Sequence, residues 1–90
     1  MKASEYKDIE EKHLEFAKAR GSEKTYCPSE VARTLFPNNW RDKMDALRLV
    51  ADDLFNENKL IVSQYSKDLD TKPSKVKGHI RLRRGSNLED

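Results

Sequence analysis

Cys27 is the residue of this chain whose type and position come nearest to those of a nucleophile. It precedes Pro28 in the segment Cys27-Pro28-Ser29-Glu30. Proline suits the first position of a helix, so this segment predicts a helix start with Cys27 as its N-cap and Glu30 reaching back to it. Some nucleophilic thiols occupy such a position. Because no base lies near it in sequence, we expect Cys27 to be a small buried cap residue instead.

The other residue types that carry catalysis form no recognisable set. The two histidines, His13 and His79, are far apart in sequence, and His13 falls on an apolar helical stripe, which favours a structural role. Asp52 and Asp53 are adjacent carboxylates on a solvated helix face, where acid-base catalysis is not favoured. The chain has no glycine-rich phosphate loop. We therefore expect no enzymatic activity, no metal and no cofactor.

The basic residues suggest a different chemistry, which is the binding of an anionic polymer. Residues 59–84 contain eight Lys and Arg against two Asp, whereas the whole chain has a net charge of only +2. A local excess of this kind attracts polyanions, although lysines also protect exposed hairpins without further function. The candidate phosphate-contacting residues are Arg41, Lys43, Arg48, Lys67, Lys72, Lys75, Lys77, Arg81 and Arg83.

A second candidate surface is the outer face of the third predicted helix. We call it the acidic face, and it comprises Asp42, Asp45, Leu49, Asp52, Asp53 and Asn56. An apolar side chain within a ring of acids is typical of a docking surface that selects a basic partner protein. Asp45, Leu49 and Asp52 are therefore the candidate protein-binding residues.

Three helices must position these residues. Apolar spacing predicts a first helix over residues 4–20, with Ser4 as N-cap and Gly21 as its end. A second helix follows Cys27 and stops at Pro37, and a third runs from Asn38 or Asn39 to about Glu57. The buried stripe of the third helix is predicted to contain Trp40, Met44, Leu47, Ala51, Leu54 and Phe55.

A basic hairpin follows the helices. Residues 60–66 and 78–84 alternate in polarity as strands do, and the intervening loop contains Pro73 and four lysines. We call residues 60–84 the wing. The order of a helix-turn-helix followed by a wing predicts an α+β, mainly α, winged helix-turn-helix fold with a two- or three-stranded antiparallel wing. We expect one domain over residues 1–84, and a flexible tail over residues 85–90.

Several short motifs resemble a known family. They are CPSEVAR at 27–33, WR at 40–41, Arg-x-x-Ala at 48–51, Gln64 at a strand end and G-x-IRLR at 78–83. In this order they resemble the bacterial domain of unknown function 3253 family, over about residues 9–84. The resemblance implies a small winged-helix-like protein without an established activity, and it supplies no catalytic residues. Asn58 stands where the family favours glycine, and His79 where it favours proline.

Two functions remain open from the sequence. The first is weak nucleic-acid binding led by the wing and largely independent of base sequence, as in a transcription-related protein; the second is protein binding through the acidic face. Four aspartates on that face argue against insertion of the third helix into a major groove. Without an apolar run long enough to span a bilayer, and with a single cysteine, the chain is expected to be cytoplasmic and monomeric.

Overall fold

Three α-helices form most of the first part of the chain in a computed structural model, which describes residues 1–88. α1 spans Ala3–Arg20, α2 spans Pro28–Leu35 and α3 spans Met44–Asn56. The predicted cap at Ser4 is wrong, because Ser4 lies within α1. Gly21 ends α1 as predicted, and its positive φ of 76° is a backbone conformation that suits glycine.

The predicted start of α2 is confirmed. The backbone N–H of Cys27 donates to Glu30 Oε2 at 2.7 Å, while Arg20 donates to Glu30 Oε1 at the same distance. Burial alone would raise the pKa of Glu30, but these two hydrogen bonds outweigh it and hold the pKa below its ordinary value. The carboxylate of Glu30 is thereby committed to the cap and to Arg20.

The start of the third helix differs from the prediction. Residues Trp40–Lys43 form a 3₁₀ turn, and α3 begins only at Met44. A 3₁₀ helix advances about 120° per residue instead of 100°, so four residues displace the helical phase by roughly 80°. Trp40 was predicted to be a core anchor; instead Trp40 and Met44 are only half-buried at the rim of the core.

The wing contains three antiparallel strands. β1 spans Leu60–Gln64, β2 spans Lys67–Leu69 and β3 spans Arg81–Arg84, in the order β2-β1-β3. Tyr65 and Ser66 both have positive φ, as the residues of a tight two-residue hairpin do. The sequence pattern had assigned Lys67–Leu69 to a loop, and neither residue of the preceding turn is the glycine that normally marks such a hairpin.

A long segment without strand pairing joins β2 to β3. It contains a second 3₁₀ turn, Pro73–Lys75, which packs against α3. β3 also forms an isolated bridge from Leu82 to Tyr26, the residue that precedes α2. The turn on α3 and the bridge to Tyr26 thus connect the sheet to the helices at two places.

The core lies between the three helices and one face of the sheet. Among its fully buried side chains are Ile9, Ala17, Val31, Leu47, Val50, Ala51, Leu54, Val62, Ile80 and Leu82. His13 is buried with them and joins two elements. Because the carbonyl of Leu47 can only accept, His13 Nε2 donates to it at 3.0 Å, and His13 Nδ1 accepts from the Tyr26 hydroxyl at 2.8 Å. The predicted structural role of His13 is what the geometry shows.

Residues 85–88 are packed, contrary to the expectation of a tail with little to bury. The backbone N–H of Gly85 donates to Lys59 and that of Asn87 to Asn58, both at 2.9 Å, and Leu88 is only 7% exposed. At Gly85 a Cβ would lie 2.8 Å from the carbonyl carbon of Lys59, so the backbones approach too closely for a side chain. The last two residues of the predicted tail, Glu89 and Asp90, lie outside the described residues.

These elements together make a winged-helix-like α+β fold, as predicted. Asn58 adopts the left-handed conformation, with φ of 62°, which asparagine tolerates better than most residues. No helix within residues 1–88 combines the length and the apolar character needed to cross a membrane. The two candidate functional surfaces lie beside the 3₁₀ turn Trp40–Lys43 and beside the segment 70–79.

Candidate functional site

A cleft of about 510 Å³ opens between the N-terminus of α2, the 3₁₀ turn Trp40–Lys43 and the segment before β3. We call it the arginine cleft, because three arginines line it and, among residues 1–88, no Asp or Glu does. Its lining residues are Cys27, Pro28, Ser29, Arg33, Trp40, Arg41, Met44, Arg48, Gly78, His79 and Ile80. Its volume falls within the range of small-ligand clefts, roughly 300–1,000 Å³.

Trp40 forms the aromatic part of this cleft. The guanidinium carbon of Arg33 lies 4.4 Å from the centre of the Trp40 ring, and that of Arg41 lies 4.6 Å from it. Both contacts are cation–π interactions, which hold a guanidinium in place without using its N–H donors. Within residues 1–88 neither Arg33 nor Arg41 has a hydrogen-bond acceptor or a salt-bridge partner. These donors are therefore available to a ligand.

The wall opposite Trp40 is built by long-range hydrogen bonds. Arg48 donates to the carbonyls of Val76 at 2.7 Å and Gly78 at 2.6 Å. Gln64 Nε2 donates to the carbonyls of Lys77 at 2.7 Å and His79 at 3.1 Å. Arg48 therefore holds the segment before β3 in place. Its N–H donors are used in these hydrogen bonds, but its positive charge still lies at the edge of the cleft.

The acidic face is exposed, as its helical phase predicts, at every member except Asp52. Asp52, expected to be exposed, is only 8% exposed, because its Oδ1 accepts from the backbone N–H of Ser74 at 2.9 Å and its Oδ2 accepts from the Ser74 hydroxyl. Asp53 accepts a short hydrogen bond from the Tyr6 hydroxyl, and this bond raises the pKa of Tyr6 to about 12. The predicted exposure of Asp52 is thus wrong, because its carboxylate is bonded to Ser74.

Several predicted basic candidates are paired within the protein. Lys43 donates to Glu5 at 2.6 Å, and Arg83 forms a two-pronged salt bridge with Asp68, at 2.5 and 2.8 Å. Arg81 donates to the hydroxyl and carbonyl of Thr25. These three side chains stabilise the fold, and their availability to a ligand is reduced accordingly.

Four lysines of the wing remain exposed. Lys67 lies on β2, whereas Lys72, Lys75 and Lys77 lie on the segment between β2 and β3. Within residues 1–88 none of the four forms a salt bridge. Lys77 is adjacent in sequence to Gly78, which lines the arginine cleft, so the exposed positive charge continues from the cleft onto the wing.

A smaller groove of about 320 Å³ lies on the other side of Arg48. It is lined by Asp45, Arg48, Leu49, Ser74 and Lys75. Leu49 is 53% exposed and Asp45 is exposed, so two of the three predicted protein-binding residues do lie at the surface together. The groove contains both signs of charge, and it is not the purely acidic rim that the sequence suggested.

Sequence reasoning missed Arg33 altogether and assigned Trp40 to the core. The available signal was the set of short motifs: the segments 27–33, 40–41 and 78–83 and Arg48 all contribute residues to the arginine cleft. Cys27, expected to be a buried cap, is half-buried at the cleft and accepts a hydrogen bond from the Ser29 hydroxyl at 3.1 Å. His79, which was not among the candidate site residues, also lines the cleft.

Comparison with known proteins agrees with these motifs. Residues 6–85 match the model of the family described as "Protein of unknown function (DUF3253)". The chain belongs to this family. No curated protein matches the chain significantly. The family description carries no activity, so the function of this family member must be argued from its geometry.

The arrangement can bind an anion. Cation–π contacts and backbone hydrogen bonds position the arginines, and two of the guanidinium groups lie against the Trp40 ring. Among the described residues there is no cluster of three side chains that could hold a metal ion. Within residues 1–88 the Cys27 thiol accepts its hydrogen bond from the Ser29 hydroxyl, which is not a base that could activate it.

Proposed function

We propose that this protein is a nucleic-acid-binding module that contacts phosphates through the arginine cleft and the exposed lysines of the wing. The observation that carries the proposal is the pair Arg33 and Arg41, whose donors have no acceptor within residues 1–88 and whose cleft contains no acidic side chain. Arginine donors without an internal partner bind phosphate well, because the guanidinium matches two phosphate oxygens at once.

The geometry supports binding without insertion of α3 into a major groove. In a helix-turn-helix protein the second helix of the motif reads base edges, and here that helix is α3. The segment 73–78 lies against α3, where it contacts Arg48 and Asp52. Contacts limited to phosphates carry little sequence information, so we expect binding that is largely independent of base sequence.

The test is a titration of labelled duplex and single-stranded DNA at 50 mM and 200 mM salt. Replacing Lys72, Lys75 and Lys77 together by Gln should weaken binding and flatten the salt dependence by roughly three units of slope at most, since each lost phosphate contact removes about 0.9. The free energy of unfolding should stay nearly constant because all three side chains are exposed.

A matched control carries the same change of charge elsewhere. Lys7, Lys18 and Lys24 are also exposed, and their replacement by Gln should alter affinity much less. Equal losses in the two triple variants would show that net charge alone determines binding and that the wing is not the contact surface. Absence of salt-sensitive binding near 50 mM salt to either form of DNA would overturn the proposal.

Protein binding is the second candidate function, and the exposure of Leu49 favours it. The groove beside Leu49 offers an apolar side chain with Asp45 and Lys75 at its margin, which suits a segment carrying charges of both signs. Leu49→Ala should weaken such binding and leave DNA affinity unchanged. A loss of DNA affinity in this variant would instead place the groove within the nucleic-acid surface.

A further inference from the structure

The shape of the arginine cleft bears on which form of nucleic acid it accepts. The cleft is a recess of about 510 Å³, and its walls include the apolar side chains of Pro28, Met44 and Ile80. The phosphates of a duplex lie on the outside of a rod whose bases are stacked inside. A recess with apolar walls is therefore best filled by a group that protrudes from the backbone, as an unpaired base does.

The planar groups of the cleft match a base. The guanidinium carbons of Arg33 and Arg41 lie 4.4 and 4.6 Å from the centre of the Trp40 ring, so two guanidinium groups and an aromatic ring lie close together in the cleft. Unpaired bases stack on aromatic rings and on guanidinium planes alike, and such stacking tolerates any base. The outward N–H donors of the same guanidinium groups remain free for the adjoining phosphate.

An acidic peptide fits these observations less well. A carboxylate would satisfy the donors of Arg33 or Arg41, but the aliphatic stem of Asp or Glu would leave the ring of Trp40 and the recess behind it unfilled. A nucleotide provides both a planar apolar body and a negative charge a few bonds away. Charge, planarity and apolar walls are then all used by one ligand.

We propose that the arginine cleft holds one unpaired nucleotide of a single strand. Its base lies against the Trp40 ring and the guanidinium groups of Arg33 and Arg41, and its phosphate accepts from the N–H donors of the same two arginines. The inference rests on the proposed function and deepens it, since it names single-stranded nucleic acid as the preferred form. The lysines of the wing then contact neighbouring phosphates of the same strand.

Two residues give direct readouts of the cleft in the unmodified protein. Trp40 is the only tryptophan and Cys27 the only cysteine, and both line the cleft. A base stacked in the cleft should change the fluorescence of Trp40. It should also slow the reaction of the Cys27 thiol with a disulfide reagent.

The experiment compares four probes at 50 mM salt: a single-stranded dodecamer of deoxyadenosine, the same backbone without bases, a twelve-base-pair duplex and adenosine monophosphate. We expect the dodecamer to bind about tenfold more tightly than the base-free strand and the duplex, because stacking of a base is worth about that factor or more. Only the dodecamer should protect Cys27 at micromolar concentration.

Variants separate stacking from charge. Arg41 is exposed, so Arg41→Lys should fold normally; it keeps the charge but loses the planar group. It should lose most of the preference for the dodecamer over the base-free strand, whereas the loss of a two-pronged phosphate contact should lower the affinity for the dodecamer, the base-free strand and the duplex alike. Lys18→Gln is the control, because Lys18 is an exposed residue of α1 outside the cleft; it should leave that preference intact.

The possible outcomes are distinguishable. If all three polymers bind with equal affinity and Trp40 fluorescence stays constant, the cleft does not hold a base, and this inference fails while phosphate binding stands. If no polymer binds, the proposed function fails together with the inference. Monophosphate binding as tight as that of the dodecamer would overturn the assignment to a strand. Polyglutamate serves as a fifth probe, and protection of Cys27 by polyglutamate but not by the dodecamer would replace nucleic acid with an acidic protein.

Discussion

His13 shows how a single buried residue joins stability to pH in this protein. Its ring bridges the Tyr26 hydroxyl and the carbonyl of Leu47, and both ring nitrogens are used by the neutral form. Burial lowers the pKa of His13 from 6.5 to about 4, and the hydrogen bond to Leu47 opposes this only in part. Protonation therefore favours the unfolded chain, in which the imidazole is solvated.

The sign of the pH dependence follows. Between pH 7 and pH 5 the unfolded chain gains a proton at residue 13 that the folded protein does not, so the free energy of unfolding should fall as pH falls. The expected contribution is on the order of 2 kcal/mol over this interval. Urea unfolding at pH 7, 6 and 5 measures it. His13→Gln should be less stable at pH 7 but should show a flatter dependence on pH.

His79 provides the matched control for this prediction, because it is exposed. His79→Gln should retain the pH dependence of the parent protein. The measured pH interval ends at pH 5 so that Glu30 does not add to the pH dependence. The pKa of Glu30 is held below its ordinary value of 4.5, so its contribution to the free energy of unfolding is lost only at lower pH. An unchanged pH dependence in His13→Gln would mean that the buried imidazole does not control this transition.

At the scale of the element, the segment 70–79 depends on α3 for its conformation. It has little regular structure beyond the 3₁₀ turn Pro73–Lys75. Asp52 accepts two hydrogen bonds from Ser74, and Arg48 donates to the carbonyls of Val76 and Gly78. The same segment forms one wall of the arginine cleft. The side chains of Arg48 and Asp52 on α3 therefore fix the position of this wall.

Asp52→Ala should therefore loosen this segment. The backbone N–H of Ser74 would lose its acceptor in a half-buried position, at an expected cost of roughly 1–3 kcal/mol in the free energy of unfolding. Amide hydrogen exchange of residues 74–78 should accelerate more than that of β1. Asp45→Ala is the control, since Asp45 is exposed on the same helix, and should change stability by less than about 0.5 kcal/mol.

If the two aspartate variants were equally stable, the hydrogen bonds to Ser74 would contribute nothing measurable. The segment would then be held by Arg48 and Gln64 alone. That result would also remove the structural explanation for the burial of Asp52.

At the scale of the whole molecule, the fold is winged-helix-like, but the proposed function uses its surfaces differently from those of a major-groove reader. The wing folds back so that the segment before β3 lies against α3, and exposed positive charge lies on the wing and in the arginine cleft. If DNA approaches this side, the exposed acids of α3, Asp45 and Asp53, stay outside any groove.

Asp45→Asn tests this orientation. With α3 outside the groove, duplex affinity should change by less than about twofold, which corresponds to roughly 0.4 kcal/mol. Removal of a negative charge that stood beside phosphates would instead raise affinity by more than about tenfold. Titration of the same duplex at 50 mM salt compares the affinities of the parent protein and the variant directly. An increase of that size would show that α3 does enter the groove.

The sequence by itself determined the order of the elements and much of the core. Helical periodicity identified Ile9, His13, Leu47 and Leu54 as inward-facing, and local chemistry identified the Cys27–Glu30 cap and the end of α1 at Gly21. These features depend on residues a few positions apart, where chain geometry is fixed by the helix itself. The concentration of positive charge after residue 58 is likewise a property of the sequence.

Only the tertiary structure decided which surfaces are free. Helical phase placed Asp52 on the outside of α3, but Ser74, which is distant in sequence, covers it. In the same way Arg48 donates to the carbonyl of Gly78, another residue distant in sequence. A local switch to 3₁₀ geometry brought Trp40 out of the core stripe and beside Arg33. The segment 70–79 has no periodicity that predicts its path, and its contacts with α3 are long-range. No local pattern could therefore show that this segment covers one side of α3 and completes the arginine cleft.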